Sequence, residues 1–253
     1  MFGICNLAMI PLRFEASDKS EIVSQVLFGE HFEILEQFKQ WSLIKMQYDG
    51  YEGWVDSKQF QLISETSFNQ LSTEAIILNA DLIEYITTPS NLLIPIPLGS
   101  SLSFLNHNEI NTSNFDFEGT KSSGEKNKEC LINTAFMYLN APYLWGGKTP
   151  FGIDCSGFTQ MVYKLNGYKL LRDASQQSAQ GEPLSFIEES EPGDLAFFDN
   201  EEGNIIHVGI IMDDNYIIHA SGKVRIDRLD HLGIYNAEIN KHTHKLRVIK
   251  KII

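Results

Sequence analysis

The sequence predicts an α+β domain at its C-terminal end, preceded by two small all-β barrels. Three observations predict it. Residues 1–122 are filled by short runs rich in Val, Ile, Leu and aromatics, cut by turn residues. A polar stretch with two glycines and alternating charge, "EGTKSSGEKNKE" (Glu118 to Glu129), then marks a linker. Beyond it, two helical patterns are followed by a series of strand patterns, the layout of an α+β domain. The expected boundaries are 1–64 and 65–122 for the two barrels and 123–253 for the third domain.

The first barrel is read in "EIVSQVLFGEHFEILEQFKQWSLIKMQYDGYEGWVD". Breaks at "FGE" and "YDGYEG" separate its strands, and Asp49-Gly50 signals a tight hairpin. The opening "MFGICNLAMIPLRFEASDK" begins with an apolar run. It lacks a basic n-region and an A-x-A-like cleavage site, so it is read as a first strand rather than a signal peptide. Residues 70–120 repeat the β character more loosely. In "AIILNADLIEYITTPSNLLIPIPLGSSLSFLNHNE", Pro89, Pro95, Pro97 and Gly99 argue for short strands and turns.

In the third domain, "KECLINTAFMYLNAPYLW" reads as a helix running to about Leu139. "CSGFTQMVYKLNG" reads as a second, because Phe158, Met161, Val162 and Leu165 recur at helical spacing and Asn166-Gly167 ends it. Strands follow in "DLAFF" (194–198), "HVGIIM" (207–212), "YIIHA" (216–220) and "KVRIDRL" (223–229).

Composition narrows the function. The 253 residues are 43% hydrophobic and 21% charged, enough for a core and too apolar for general disorder. A net charge of -13 argues against nucleic acid and anionic membranes as partners, since both recruit basic stripes. No apolar run reaches the ~18 residues of a membrane span. The three cysteines, Cys5, Cys130 and Cys155, are odd in number and far apart, which speaks against a disulfide framework or a Cys-rich zinc site. Free thiols fit a reducing compartment.

Cys155 has a distinctive place. Gly146, Pro150, Gly152 and Asp154 put a loop before it, so it falls in the first turn of its helix. Unpaired N–H groups and the helix dipole favour an anion there, and a thiolate is one. The place suits a nucleophile, and equally a small buried residue packing the helix start.

A nucleophile needs a base, and the base needs an orienting partner. Of seven histidines, His31, His107 and His231 sit in strand-edge or loop contexts, and His242 and His244 in the polar "NKHTHK". No Cys or carboxylate near that last pair suggests a metal site. His207 and His219 differ, lying on apolar strands joined by Asp213-Asp214-Asn215. If those three residues are the turn, Met212 pairs with Tyr216 and His219 faces Gly209. The two histidines then share one face as diagonal neighbours. A two-residue turn would place them on opposite faces.

Taken together, "YLWGG", "DCSGF", "RDASQQ", "GDLAFF", "HVGI" and "HAS" resemble, in the same order, the NlpC-type (NlpC/p60) cysteine peptidases of bacterial cell walls. The N-terminal β pattern resembles the bacterial SH3-like barrels that precede this domain in γ-D-glutamyl-L-diamino-acid endopeptidases. The resemblance implies a papain-like α+β domain with Cys155 as nucleophile, His207 as general base and His219 as its orienting partner. Tyr143 would help hold the oxyanion with the backbone N–H at Cys155. Trp145, Asp154, Ser156, Arg172 and Asp173 would line the substrate groove, Ser156 or Arg172 meeting an α-carboxylate and Asp173 a free amine. Glu21 in "SEIVSQ" and Tyr51 in "YDGYEGW" are the first-barrel candidates for that amine.

The implied activity is hydrolysis of the γ-D-glutamyl–diamino-acid amide of murein peptides with a free N-terminal L-Ala, in wall-peptide recycling. It needs no cofactor and no metal. The partners are murein peptides, with no nucleic acid and no membrane, and a monomer is the default. Amidases and acyltransferases on the same fold, and a wall-binding module without turnover, are the rival readings. Free thiols, acidity and the lack of a clear signal segment suit the cytoplasm, with a periplasmic or secreted location if a signal segment has been trimmed.

Overall fold

Alternating apolar residues near the N-terminus fold into one antiparallel sheet, because period-two patterning buries one face of each strand. The structure is a computed structural model that describes residues 1–88, 90–106, 115–124 and 127–253, so Pro89 and His107 lie outside the described residues. The chain divides into two units, Met1–Glu125 and Lys126–Ile253.

In the first unit the strands are β1 (Phe2–Ile4), β2 (Met9–Arg13), β3 (Ile22–Leu27), β4 (His31–Phe38), β5 (Trp41–Met46), β6 (Glu52–Asp56) and β7 (Gln61–Ile63). They join in the order β3-β2-β6-β5-β4-β1-β7. Ile10, Leu12, Val26, Phe32, Ile34, Ile44, Met46 and Val55 pack together as its core. The Asp49-Gly50 signal marks a real turn. Gly50 takes φ 74°, a left-handed value that glycine adopts freely, and the Met46 N–H donates to the Tyr51 carbonyl.

From residue 65, where the second barrel is expected, come the described residues 65–88, 90–106 and 115–122. They begin with a helix, α1 (Glu65–Thr73), capped by the Ser64 hydroxyl accepting from the Ser67 N–H at 3.0 Å. After it come β8 (Leu78–Asn79), β9 (Ile83–Thr87), β10 (Leu93–Pro97) and β11 (Lys121–Ser122). Among the described residues these make two separate ladders, β9–β10 and β8–β11, rather than one sheet. Pro95 and Pro97 carry no N–H, so β10 cannot sustain pairing on both sides. Ile86, Ile96, Leu102, Phe104 and Phe117 share a core cluster with Ile4, Phe28 and Leu71.

The second unit opens with α2 (Glu129–Phe136), which ends before Leu139. Then come β12 (Lys148–Thr149), β13 (Gly152–Ile153), α3 (Cys155–Leu165) and the short α4 (Ala174–Gln177). The strands β14 (Glu182–Leu184), β15 (Leu195–Asp199), β16 (Ile205–Ile211), β17 (Tyr216–Ser221), β18 (Lys223–Asp230), β19 (Gly233–Asn236) and β20 (Lys241–Lys251) complete it. Their order is β14-β20-β15-β16-β17-β18-β19, and β20 also pairs with β19. Strands β15 to β20 therefore close on themselves. The 11-residue β20 makes this possible, its first half pairing with β19 and its second with β15 and β14.

Helix α3 packs against β16 and β17 and is buried along its whole length. Phe158, Met161 and Val162 are fully buried, as the helical spacing requires. Asn166 and Gly167 end it, with Gly167 at φ 79°. The Asn166 side chain also donates to Thr134 Oγ1 at 3.0 Å, tying α2 to α3.

Candidate active site

The start of α3 is set by Asp154. Its Oδ1 accepts the Gly157 N–H at 2.6 Å and its Oδ2 accepts the Gly146 N–H at 2.8 Å, so one carboxylate caps the helix and closes the preceding loop. Gly157 must be small, because a Cβ there would stand 2.3 Å from the Gly147 carbonyl oxygen. The Arg172 guanidinium grips the same carboxylate with two bonds, Nη1 to Oδ1 at 3.0 Å and Nη2 to Oδ2 at 2.6 Å. Arg172 Nη1 also donates to Ser156 Oγ at 3.0 Å, and all three side chains are buried. Asp154, Ser156 and Arg172 thus form the base on which the helix start rests. A guanidinium buried this deeply needs its carboxylate partner.

Cys155 is the first residue of α3 and is buried. The nearby backbone N–H groups of Val208 and Ser156 favour its thiolate form. The helix start alone predicts a lowered thiol pKa, but the balance here runs the other way. Burial first, then the Asp154 carboxylate, push the Cys155 thiol up to about 12, against those N–H groups and Arg172. The resting thiol is therefore neutral.

The histidines come from the β16–β17 hairpin. Asp213–Asn215 is the connection, with Asp214 at φ 57° and Asn215 at φ 60°, left-handed values that Asp and Asn tolerate better than most residues. Met212 N–H donates to the Tyr216 carbonyl and Gly209 faces His219, the register that a three-residue connection demands. Both imidazoles lie on one face, and His207 Nε2 meets His219 Nδ1 at 2.8 Å. Gly209 leaves room for this contact, since a Cβ there would stand 2.8 Å from the His219 Cβ. His207 is 5% exposed and His219 1%. Burial, then the neighbouring imidazoles, hold His207 well below the ordinary histidine value, and burial lowers His219 despite Asp227.

Three further residues join this cluster without having been singled out in the sequence. His219 Nε2 meets Asp227 Oδ2 at 3.1 Å. Arg225 clamps that carboxylate, Nε to Oδ2 at 2.7 Å and Nη2 to Oδ1 at 3.0 Å. The signal lay in "HASGKVRIDRL": a tight turn at Gly222, which takes φ 71°, sets Arg225 opposite His219 and Asp227 two places on. The third is His244 on β20. Its ring stacks on His207 at 4.1 Å between centroids, and burial lowers it to about 4. The polar "NKHTHK" hides its strand.

Tyr143 is half-buried, its N–H donating to the Gly222 carbonyl at 3.0 Å. Burial, then Cys155 nearby, push its phenol up to about 12, so it stays a hydrogen-bond donor. Trp145 is 59% exposed. Asp173 starts α4, its N–H donating to Gln176 Oε1 at 3.0 Å. Among the described residues the thiol and His207 do not hydrogen-bond. The relay is complete from His207 to Asp227 and open between sulfur and ring. Glu21 and Tyr51 belong to the first unit, Glu21 exposed just before β3 and Tyr51 packed against that unit's core. His242 pairs with Asp230 at 2.9 Å, and no group of described residues is arranged to hold a metal.

The chain is similar to known proteins. Residues 140–246 match the NlpC/P60 family, and residues 12–60 match the bacterial dipeptidyl-peptidase Sh3 domain. The chain is 26% identical over 229 residues to a Bacillus cereus (strain ATCC 10987 / NRS 248) protein named gamma-D-glutamyl-L-lysine dipeptidyl-peptidase, covering 81% of this chain and 68% of that one. A Bacillus subtilis (strain 168) protein of the same name is 42% identical over 94 residues, only 36% of this chain and 31% of the relative. Dipeptidyl-peptidase 6 of Lysinibacillus sphaericus is 27% identical over 91% of this chain and 92% of its own. The crystal structure of an NlpC/P60 family protein from Bacillus cereus ATCC 10987 superimposes with a TM-score of 0.82 at 20% identity, over 100% of this chain and 99% of that one. An NlpC/P60 endopeptidase from Photobacterium damselae subsp. piscicida gives 0.71 at 18%, over 98% and 70%. At those identities the structural likeness is one of fold.

Proposed function

We propose that this chain, which carries an NlpC/P60 domain behind a bacterial SH3 domain, is a cysteine endopeptidase of cell-wall peptides. It hydrolyses the γ-D-glutamyl–diamino-acid amide of murein peptides with a free N-terminal L-Ala. The observation that carries the reading is the hydrogen-bonded pair His207–His219 on the strands against which the Cys155 helix packs. The names of the relatives, γ-D-glutamyl-L-lysine dipeptidyl-peptidases among them, support the bond type.

In the resting site burial disfavours the charged forms of both Cys155 and His207. His207 Nε2 is engaged with His219, which leaves Nδ1 for the thiol. Catalytic hydrogen bonds often tighten only once substrate is bound. The sulfur attacks the γ-carbonyl carbon as its proton passes to Nδ1. The Tyr143 hydroxyl and the N–H groups of the helix start donate to the oxyanion. His207 then protonates the departing amine. Water, giving its proton to His207, cleaves the thioester and releases the γ-carboxylate, and the proton returns to sulfur.

The exposed Trp145 supplies an apolar wall for the peptide. Ser156 and Arg172 act on substrate chiefly through the Asp154 base, and Asp173 is the carboxylate for the amine. Recycled wall peptides arrive in the cytoplasm, where the three free thiols stay reduced, and we place the enzyme there.

Mass-spectrometric digestion of L-Ala-γ-D-Glu-diaminopimelate tripeptides, with free and acetylated alanine termini, tests the reading. The free peptide should release L-Ala-γ-D-Glu, and Cys155→Ala should abolish turnover while the protein stays folded. Intact peptide with the wild type, or wild-type rates with Cys155→Ala, overturns the proposal.

A further inference from the structure

We infer that Asp227 sets the tautomer of the catalytic imidazole from two residues away, acting through His219. The inference rests on His207 being the general base of the proposed peptidase. The relay has a direction that its two ends impose. Arg225 occupies both oxygens of Asp227, at 2.7 and 3.0 Å, and Arg225 is itself held by Glu238 at 3.1 Å. Hydrogen bonds from His219 and Arg225 outweigh the burial that would raise the Asp227 carboxyl, leaving it below its usual range. Asp227 is thus an ionised carboxylate and can only accept.

The consequence runs back along the chain of contacts. The partner of Asp227 Oδ2 is His219 Nε2 at 3.1 Å, so Nε2 must carry the His219 proton. A neutral His219 then has a bare Nδ1. That nitrogen sits 2.8 Å from His207 Nε2, so Nε2 must donate and His207 must hold its own proton there. His207 Nδ1 is left with a lone pair, the state a general base needs. With no acceptor at position 227, the reverse arrangement would satisfy the His207–His219 bond equally well, and it would put a proton on the nitrogen meant for the thiol.

The groups facing His219 are His207 from β16, Asp227 and Arg225 from β18, and His244 from β20. His244 does not compete for the relay nitrogens. Its ring stacks on His207 and lies edge-on to His219, with its Nδ1 at 2.9 Å from Thr243 Oγ1. Asp227 is therefore a positioning residue, distinct from the groups that touch substrate.

The test uses the full chain labelled with ¹⁵N-histidine. Long-range ¹H–¹⁵N correlations near pH 7.5 distinguish a ring protonated at Nε2 from one protonated at Nδ1. In the wild type, His207 and His219 should both be protonated at Nε2. In Asp227→Asn the amide can donate to His219, so both rings should move toward the Nδ1 form. The kcat for peptide hydrolysis should fall roughly ten- to a hundredfold while KM holds. A wild-type His219 protonated at Nδ1 overturns the inference, and this needs no variant to fold. So does an Asp227→Asn protein whose ring patterns match the wild type, even if kcat drops. Failure of the wild type to cleave any murein peptide would instead sink the peptidase reading and leave the tautomer result standing.

Discussion

Gly209→Ala probes the geometry on which the site depends. Gly209 faces His219 across the β16–β17 ladder, and a Cβ added there would meet the His219 Cβ at 2.8 Å and Ile217 Cδ1 at 2.7 Å. Carbon atoms pack best at about 3.5–4.0 Å, so the neighbours must give way by roughly 1 Å. Ile217 Cδ1 is the end of a flexible side chain and can turn aside, whereas the His219 Cβ is fixed to its backbone, so the strand that carries His219 must move. The His207–His219 bond of 2.8 Å then lengthens beyond hydrogen-bond range. Overpacking should cost about 1–3 kcal/mol of stability. The misplaced relay should cost about a hundredfold in kcat, the usual scale for a 1 Å error in a catalytic group. The assay is kcat and KM on the free tripeptide, with a urea midpoint on the same preparation to separate the two effects. A folded Gly209→Ala enzyme whose kcat stays within about twofold of wild type would refute the claim that this glycine makes room for the relay.

Two further outcomes are expected, beside those for Cys155→Ala and Asp227→Asn above. Arg172→Ala strips a buried carboxylate of its guanidinium, so it should destabilise the fold by about 3–5 kcal/mol, read as a lowered urea midpoint. The double variant with Asp154→Ala should cost less than the two single losses added together. Stability against pH should form a plateau with two falling limbs. His207 and His219 are depressed below 6.5 in the fold, so the unfolded chain takes up their protons first, and stability should drop as pH falls below 6.5 by about 1 kcal/mol per buried imidazole per pH unit. Cys5 and Cys155 are raised from 9.0 to about 12, so the unfolded chain loses their protons first, and stability should drop again as pH rises above 9.0. Urea midpoints taken across the pH range check both limbs. A midpoint still rising below pH 6 would contradict the burial of the imidazoles.

Much of the site could be read in the chain because it depends on local rules. Loop-forming Gly and Pro put Cys155 at a helix start, helical spacing marked out α3, and three turn residues determined the register that joins His207 to His219. Those features follow from backbone geometry and period, which neighbouring residues dictate by themselves. What only the tertiary structure decided is who surrounds them. The ring closure by β20 brings His244 onto His207 from a segment that looks merely polar, and the β17–β18 turn delivers Asp227 and Arg225 behind His219. The pairing of β8–β11 in two ladders among the described residues likewise depends on prolines whose effect shows only once partners are assigned. The thiol's protonation is the clearest case. A helix start lowers it, yet burial and Asp154 raise it more, because desolvation is summed over everything that packs around a group and cannot be read from its neighbours along the chain.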